Sequence, residues 1–189
     1  MKNRLVSIVF RMDKSIFLLA GNTASTLIGE IQMAVKEKIT VKEGLESIHT
    51  AFASFMDGTL TREQADQVGY VVLNEIQLRD YLMGFASEKG IQYVGGFLES
   101  LLSDISTEYA HPLLTILATT YLEVGEREQA WLALEESGKL NSEYSLTHLI
   151  KRVYLSGSDF GFPTMRAELH PKVKETLDEM SDKVISPTE

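Results

Sequence analysis

Residues 111–155 read "HPLLTILATTYLEVGEREQAWLALEESGKLNSEYSLTHLIKRVYL", and this stretch decides the fold. Leu114, Leu117, Ala118 and Tyr121 recur at the three- and four-residue spacing that puts side chains on one face of a helix. Gly125 stops that helix, because glycine takes the left-handed backbone that closes one. Ala130, Leu134 and Ser137 then open the face of a second helix. Small residues let the two helices approach closely, and Tyr121 fills the gap above the turn. The stretch is therefore a helix hairpin, and residues 145–155 begin the first helix of a second, incomplete unit.

Ala118, Tyr121, Gly125 and Ala130 stand at the spacing of a tetratricopeptide repeat, and Leu134 suits its next large position. Leu114 replaces that repeat's usual tryptophan, and Ser142 its terminal proline. The hairpin at 111–140 thus resembles such a repeat with divergent ends, and these four residues are read as structural. The fold expected is mainly α, a stack of helical hairpins.

The chain upstream agrees. No proline interrupts residues 24–110, so long helices fit there. Leu27, Ile31 and Val35 mark one helix face. Thr40 opens a Thr-x-x-Glu capping box, and Leu45, Ile48, Phe52 and Phe55 follow as a stripe. Val68, Val71, Val72 and Ile76 form a further face, then Leu78, Leu82 and Phe85, then Val94, Phe97, Leu101 and Ile105. Gly95 and Gly96 mark a bend or a close helix contact.

"FMDGTLTR" at 55–62 resembles two chemical loops and is neither. A calcium loop aligned on Gly58 would need oxygen ligands at Ala53, Phe55, Asp57 and Gln64; only one is a carboxylate. A haloacid-type nucleophile would stand two residues before Asp57, where the chain has Phe55. The stretch parses instead as a helix stop at Asp57–Gly58 and a second capping box, Thr61 to Gln64.

At the N-terminus, "LVSIVF" is too short for a signal core and is broken off by Arg11, Asp13 and Lys14. Leu5–Phe10 and Ile16–Ala20 read as a short β-hairpin, with a helix as the alternative. An open edge at Leu5–Phe10 would serve a homodimer. The expected organisation is an apolar segment over 1–22, one helical domain over 23–182 and a disordered tail over 183–189. Cytoplasmic location is the expectation.

The chain has 189 residues, 44% hydrophobic and 24% charged, as a folded soluble domain does. It has no cysteine, which excludes disulfides, thiol catalysis and thiolate zinc sites. Its net charge of −9 argues against direct nucleic-acid binding and leaves an acidic surface that could dock on a basic protein.

Chemistry is sparse. His49, His111, His148 and His170 have no metal-site spacing, and His111 and His170, each before a proline, read as helix-boundary residues. No phosphate loop, dinucleotide fingerprint, nucleophile elbow or zinc signature occurs. No catalytic, cofactor-binding or metal-binding residue is therefore assigned, and no cofactor is expected. Arg79 and Asp80 are the most interesting charged pair: helix-end anchors first, a buried recognition or catalytic pair second, the latter needing a polar cleft around them. Arg127 and Glu128 read as solvated. Trp131, next to Ala130, reads first as a core residue and second as one that partly leaves the hairpin interface as a binding hot spot; Lys151 and Arg152 are the densest basic spot.

"LRD" at 78–80, residues 121–150 and "GFPTMRAEL" at 161–169 together resemble the C-terminal half of an actinobacterial family known as domain of unknown function 4192. Glu143–Tyr144, Pro163 and Arg166 match its elements, whereas Met165 stands where tryptophan is usual. The resemblance spans about residues 60–170 and implies an actinobacterial host or one of its phages. The function expected is a protein–protein interaction module, with exposed members of residues 113–122 and 145–155 lining a concave surface. Trp131, Lys151, Arg152 and Arg79 are the candidate partner-binding residues. The alternative is a small acidic inhibitor or nucleic-acid mimic acting on a host protein.

Overall fold

The first N–H groups of a helix have no partner within it, and this sequence provides them. Thr40 Oγ1 accepts from the Glu43 N–H at 3.3 Å while Glu43 Oε2 accepts from the Thr40 N–H at 2.7 Å. Thr61 and Gln64 repeat the exchange at 3.3 and 3.0 Å. Between the two boxes Gly58 takes φ +68°, so the reading of "FMDGTLTR" as stop, turn and start holds.

The computed structural model describes residues 39–157 and 161–187. All of them belong to the compact unit Ile39–Glu189, and the chain divides after Lys38. The apolar segment 1–22 with its hairpin, and the face of Leu27, Ile31 and Val35, lie outside the described residues. The helices among the described residues are α1 (Val41–Met56), α2 (Arg62–Asn74), α3 (Ile76–Gly84), α4 (Ala86–Lys89), α5 (Ile91–Asp104), α6 (Thr107–Glu123), α7 (Arg127–Leu140), α8 (Ser145–Ser156) and α9 (Phe162–Glu179). The fold is mainly α and consistent with stacked helical hairpins.

The hairpin at 111–140 is α6 and α7, the most extensively packed helix pair. Ala118 and Ala130 are both fully buried, Tyr121 packs against both core clusters, and Gly125 turns the chain at φ +84°. α6 is the centre of the body: every residue from Ala110 to Thr120 except Leu114 is buried. It packs against α2, α3, α5, α7, α8 and α9. Asp66 of α2 covers its N-terminal end, accepting from the Ser106 N–H at 2.6 Å and from Ser106 Oγ at 2.9 Å. A carboxylate is favoured there by the helix dipole. Close approach also explains Gly95 and Gly96. A Cβ at either would meet Thr120 of α6 at 3.4 Å or Phe55 of α1 at 3.3 Å.

A polar knot joins α6, α7 and α8. Thr115, Ser137 and Thr147, one from each helix, are buried with their hydroxyls 2.7–2.9 Å apart. Thr115 and Ser137 also reach the His111 carbonyl at 3.1 and 2.9 Å. Each hydroxyl has one proton to donate and spare lone pairs to accept, so the triangle and the carbonyl satisfy each other without water.

Four sequence readings need correction. Pro112 and Pro171 lie inside α6 and α9, so His111 and His170 are interior residues of helices and both are buried. Packing on several sides holds these helices through a missing hydrogen bond that would break an isolated one. Ile76 does not continue the Val68–Val72 face; it is exposed and starts α3 after a break at Glu75. The tail is folded through Ile185. The Val41 N–H donates to the Lys183 carbonyl at 2.8 Å, the Ile185 N–H to the Ile39 carbonyl at 2.8 Å, and Ile185 is in the core. Finally, α6 is covered, so residues 113–122 do not line an open surface.

The hydroxyl triangle predicts a pattern of destabilisation. Thr115→Val should cost about 1–3 kcal/mol in urea unfolding by leaving partners unpaired. Adding Ser137→Ala and Thr147→Val should cost less than the sum of the single changes, because no hydroxyl is then stranded. Strict additivity would show that the three hydroxyls do not act as a unit.

Candidate functional site

The outer side of the α7–α8 pair gathers the sequence-selected aromatic and basic residues. Trp131 is half-buried and its ring lies 5.1 Å from that of Tyr154, tilted by 33°. Lys151 Nζ sits 5.8 Å from the Trp131 ring centre. The Arg127 guanidinium covers the Tyr154 ring at 4.5 Å and donates to the Tyr154 carbonyl at 2.8 Å. That carbonyl is among the last of α8, where cations are favoured. Arg127 is exposed, as expected, and is also a tie between α7 and α8. Lys151 also crosses over Gly138, where a Cβ would lie 2.9 Å from Nζ.

A separate stripe of α8, Leu149, Arg152 and Leu155 at three-residue spacing, is exposed, with Leu155 at 70%. Leu132, beside Trp131 on α7, is exposed as well. The inward residues of α8, namely Leu146, Thr147, Ile150 and Val153, are buried. Of the four candidate residues, Trp131 and Lys151 meet, and Arg152 lies one residue on.

Arg79 is elsewhere. It lies on α3 with its side chain 16% exposed, and its Nε and Nη2 both donate to Asp80 Oδ1 at 2.9 and 2.7 Å. It is also held against the Tyr144 hydroxyl at the start of α8. Burial acts to lower the Arg79 pKa, and Asp80 and Tyr144 more than offset it, so the guanidinium is held above its ordinary value. Arg79 also lines a cavity of about 380 Å³ between α3 and α9. Arg166 of α9 lines the same cavity and forms a two-pronged pair with Glu123 at the end of α6.

A second cluster docks α9. His170 is buried against the Tyr81 ring, 4.9 Å away, and its Nε2 donates to Glu88 Oε1 at 2.8 Å. Lys174 shares that oxygen at 2.9 Å. Glu123 and Glu88 escaped the sequence reading because each acts across helices distant in sequence, and Tyr154 because nothing set it apart from the other tyrosines. The spacing of Arg166, His170 and Lys174 at four-residue steps was visible and marks this face of α9. Among the described residues no group of three or more His, Asp or Glu could hold a metal ion. No described helix is long and apolar enough to cross a membrane.

No protein-family model matches the chain, and neither a curated protein nor a solved structure matches it. The resemblance to the actinobacterial family rests on the quoted residues alone.

Trp131 is the only tryptophan, so its fluorescence reports the α7–α8 face. Tyr154→Ala should red-shift its emission and raise quenching by iodide; unchanged quenching would mean that Tyr154 does not shield it. For the α9 cluster the pH dependence has a definite sign. Burial acts to raise the Glu88 pKa, but its bonds to Lys174 and His170 hold it below the ordinary carboxylate value. The stability from this carboxylate is therefore full above its unfolded pKa and is lost as pH falls through the lower folded value. Thermal melts of Glu88→Gln should lie below wild type at neutral pH and converge with it in acid. A constant gap across that range would contradict the assignment.

Proposed function

We propose that the chain is a non-enzymatic interaction module of the cytoplasm that binds an acidic segment of another protein through the outer face of α7 and α8. The observation that carries this reading is the set Trp131, Tyr154, Lys151 and Arg127, stacked across two helices. Such a set is ordered before any partner arrives, so little side-chain freedom is lost on binding. Aromatic and arginine side chains are also those that dominate binding energy at interfaces. Lys151 and Arg127 lie against the rings of this face, in a chain whose net charge is −9. Those two cations suit an acidic partner segment better than a second copy of a predominantly acidic surface.

The second reading, an acidic inhibitor or nucleic-acid mimic of a basic host protein, is favoured by the same −9. Many cations of the body are already engaged with carboxylates, as in Arg79–Asp80, Arg166–Glu123, Lys174–Glu88 and Lys183–Glu75. The two readings place the partner on opposite charges.

Capture from host lysate with tagged wild type, Lys151→Glu/Arg152→Glu and Trp131→Ala separates them. A stoichiometric partner held by wild type should bind the double charge reversal at least tenfold more weakly and the tryptophan variant severalfold more weakly. All three should show the same helical circular dichroism. Equal capture by all three would sink the α7–α8 assignment. A basic partner retained by the variants and released by salt would select the inhibitor reading.

A further inference from the structure

Among the described residues, every pair of helices that follow one another in the chain packs together except α8 and α9, whose backbones stay apart. The cavity of about 380 Å³ lies in that gap, bounded by α3 and α6 as well. Its volume falls in the range in which proteins hold small molecules. α9 lines it from Phe162 through Met165 and Val173 to Thr176. At about 1.5 Å per residue those positions stretch over roughly 21 Å. A volume of 380 Å³ drawn out along that length is a slot and not a bowl.

The walls offer carbon. Met83 comes from α3, Leu146 from α8, and Phe162, Met165 and Val173 from α9. The two methionines are unbranched and adapt to the outline of what they touch. Leu169 and Lys172 also line the slot, and both are exposed, so they mark its mouth.

The polar groups of the wall are already used within the protein. Arg79 is paired with Asp80, and Arg166 with Glu123, so the two guanidinium charges are cancelled where they stand. The Thr119 hydroxyl donates to the Ile116 carbonyl at 2.7 Å, and that of Thr176 to the Lys172 carbonyl at 3.0 Å. His170 meets Glu88 through Nε2, and its Nδ1, which has no hydrogen-bond partner, is closed off against Gly84. A charged ligand would leave water and find no unpaired opposite charge inside, which is costly. An apolar one would give up only its unfavourable contact with water.

We propose that this slot binds a neutral, linear aliphatic molecule. Its chain lies along α9 between Met83 and Leu146 on one side and Phe162 and Met165 on the other, and its polar end stays in water beside Leu169 and Lys172. No bond is made or broken; the site is one of binding. It lies on the inward side of α8 and does not depend on the partner face proposed above.

Calorimetric titration of the full chain with 1-decanol, decanoate and borneol, a compact alcohol of the same carbon number, tests each part. Decanol should bind, borneol at least fivefold more weakly, and decanoate no tighter than decanol. Met165→Trp, which fills the slot, should abolish decanol binding while the helical circular dichroism stays that of wild type. Leu169→Asp, which sets a charge at the mouth on an exposed position, should weaken decanol at least fivefold. Should Met165→Trp not fold, Leu169→Asp decides. No binding heat from decanol, borneol bound as tightly as decanol, decanoate bound more tightly, or decanol binding unchanged in the folded variants would each overturn the proposal.

Discussion

Everything in this body depends on keeping one helix out of water. α6 is buried along almost its whole length, and a helix apolar on all sides must be covered on all sides. Six other helices supply that cover, so the hairpins stack around α6. The same constraint governs the polar groups that α6 carries inward. Thr115 would be costly where it stands if Ser137 and Thr147 did not close a ring of hydroxyls with it. Its amino end would likewise be uncovered without Asp66.

Much of this was legible in the sequence wherever the cause is local. The capping boxes at Thr40 and Thr61 depend on residues three apart, and both formed as read. Gly58 and Gly125 end helices because of backbone freedom that no neighbour alters. Ala118 and Ala130 meet because each is small and on the inward face. The failures share one feature: the deciding partner is far away in sequence. Pro112 and Pro171 look like helix boundaries until neighbouring helices hold the chain through them. The hydroxyl triangle unites residues ten, twenty-two and thirty-two positions apart, a pattern no periodicity reveals.

The candidate sites divide in the same way. Trp131 and the Lys151–Arg152 pair stood out by residue type, and their face could be anticipated because α7 and α8 are consecutive. Tyr154, which orients the tryptophan, could not be singled out among the tyrosines of the chain. A polar cleft at Arg79 and Asp80 was foreseen only as a possibility of their charge. Its walls come from α3, α6, α8 and α9, so no single window of sequence contains it. His170 was legible as a histidine before a proline, but its orphaned nitrogen is a property of where Gly84 and Glu88 put it.

The clasp between residues 39–41 and 181–185 sets the order in which the body can be completed during synthesis. The first two N–H groups of α1 find their carbonyls on Lys183 and Ser181, and Ile185 fills the gap left by Gly44 between α1 and Leu78. These partners are translated more than 130 residues after the groups that need them. At about 5–20 residues per second that delay is roughly seven to thirty seconds. For that time α1 is open at its amino end and the core beneath it lacks a wall. The wall over Gly44 and Leu78 is therefore completed only when residues 181–185 have left the ribosome.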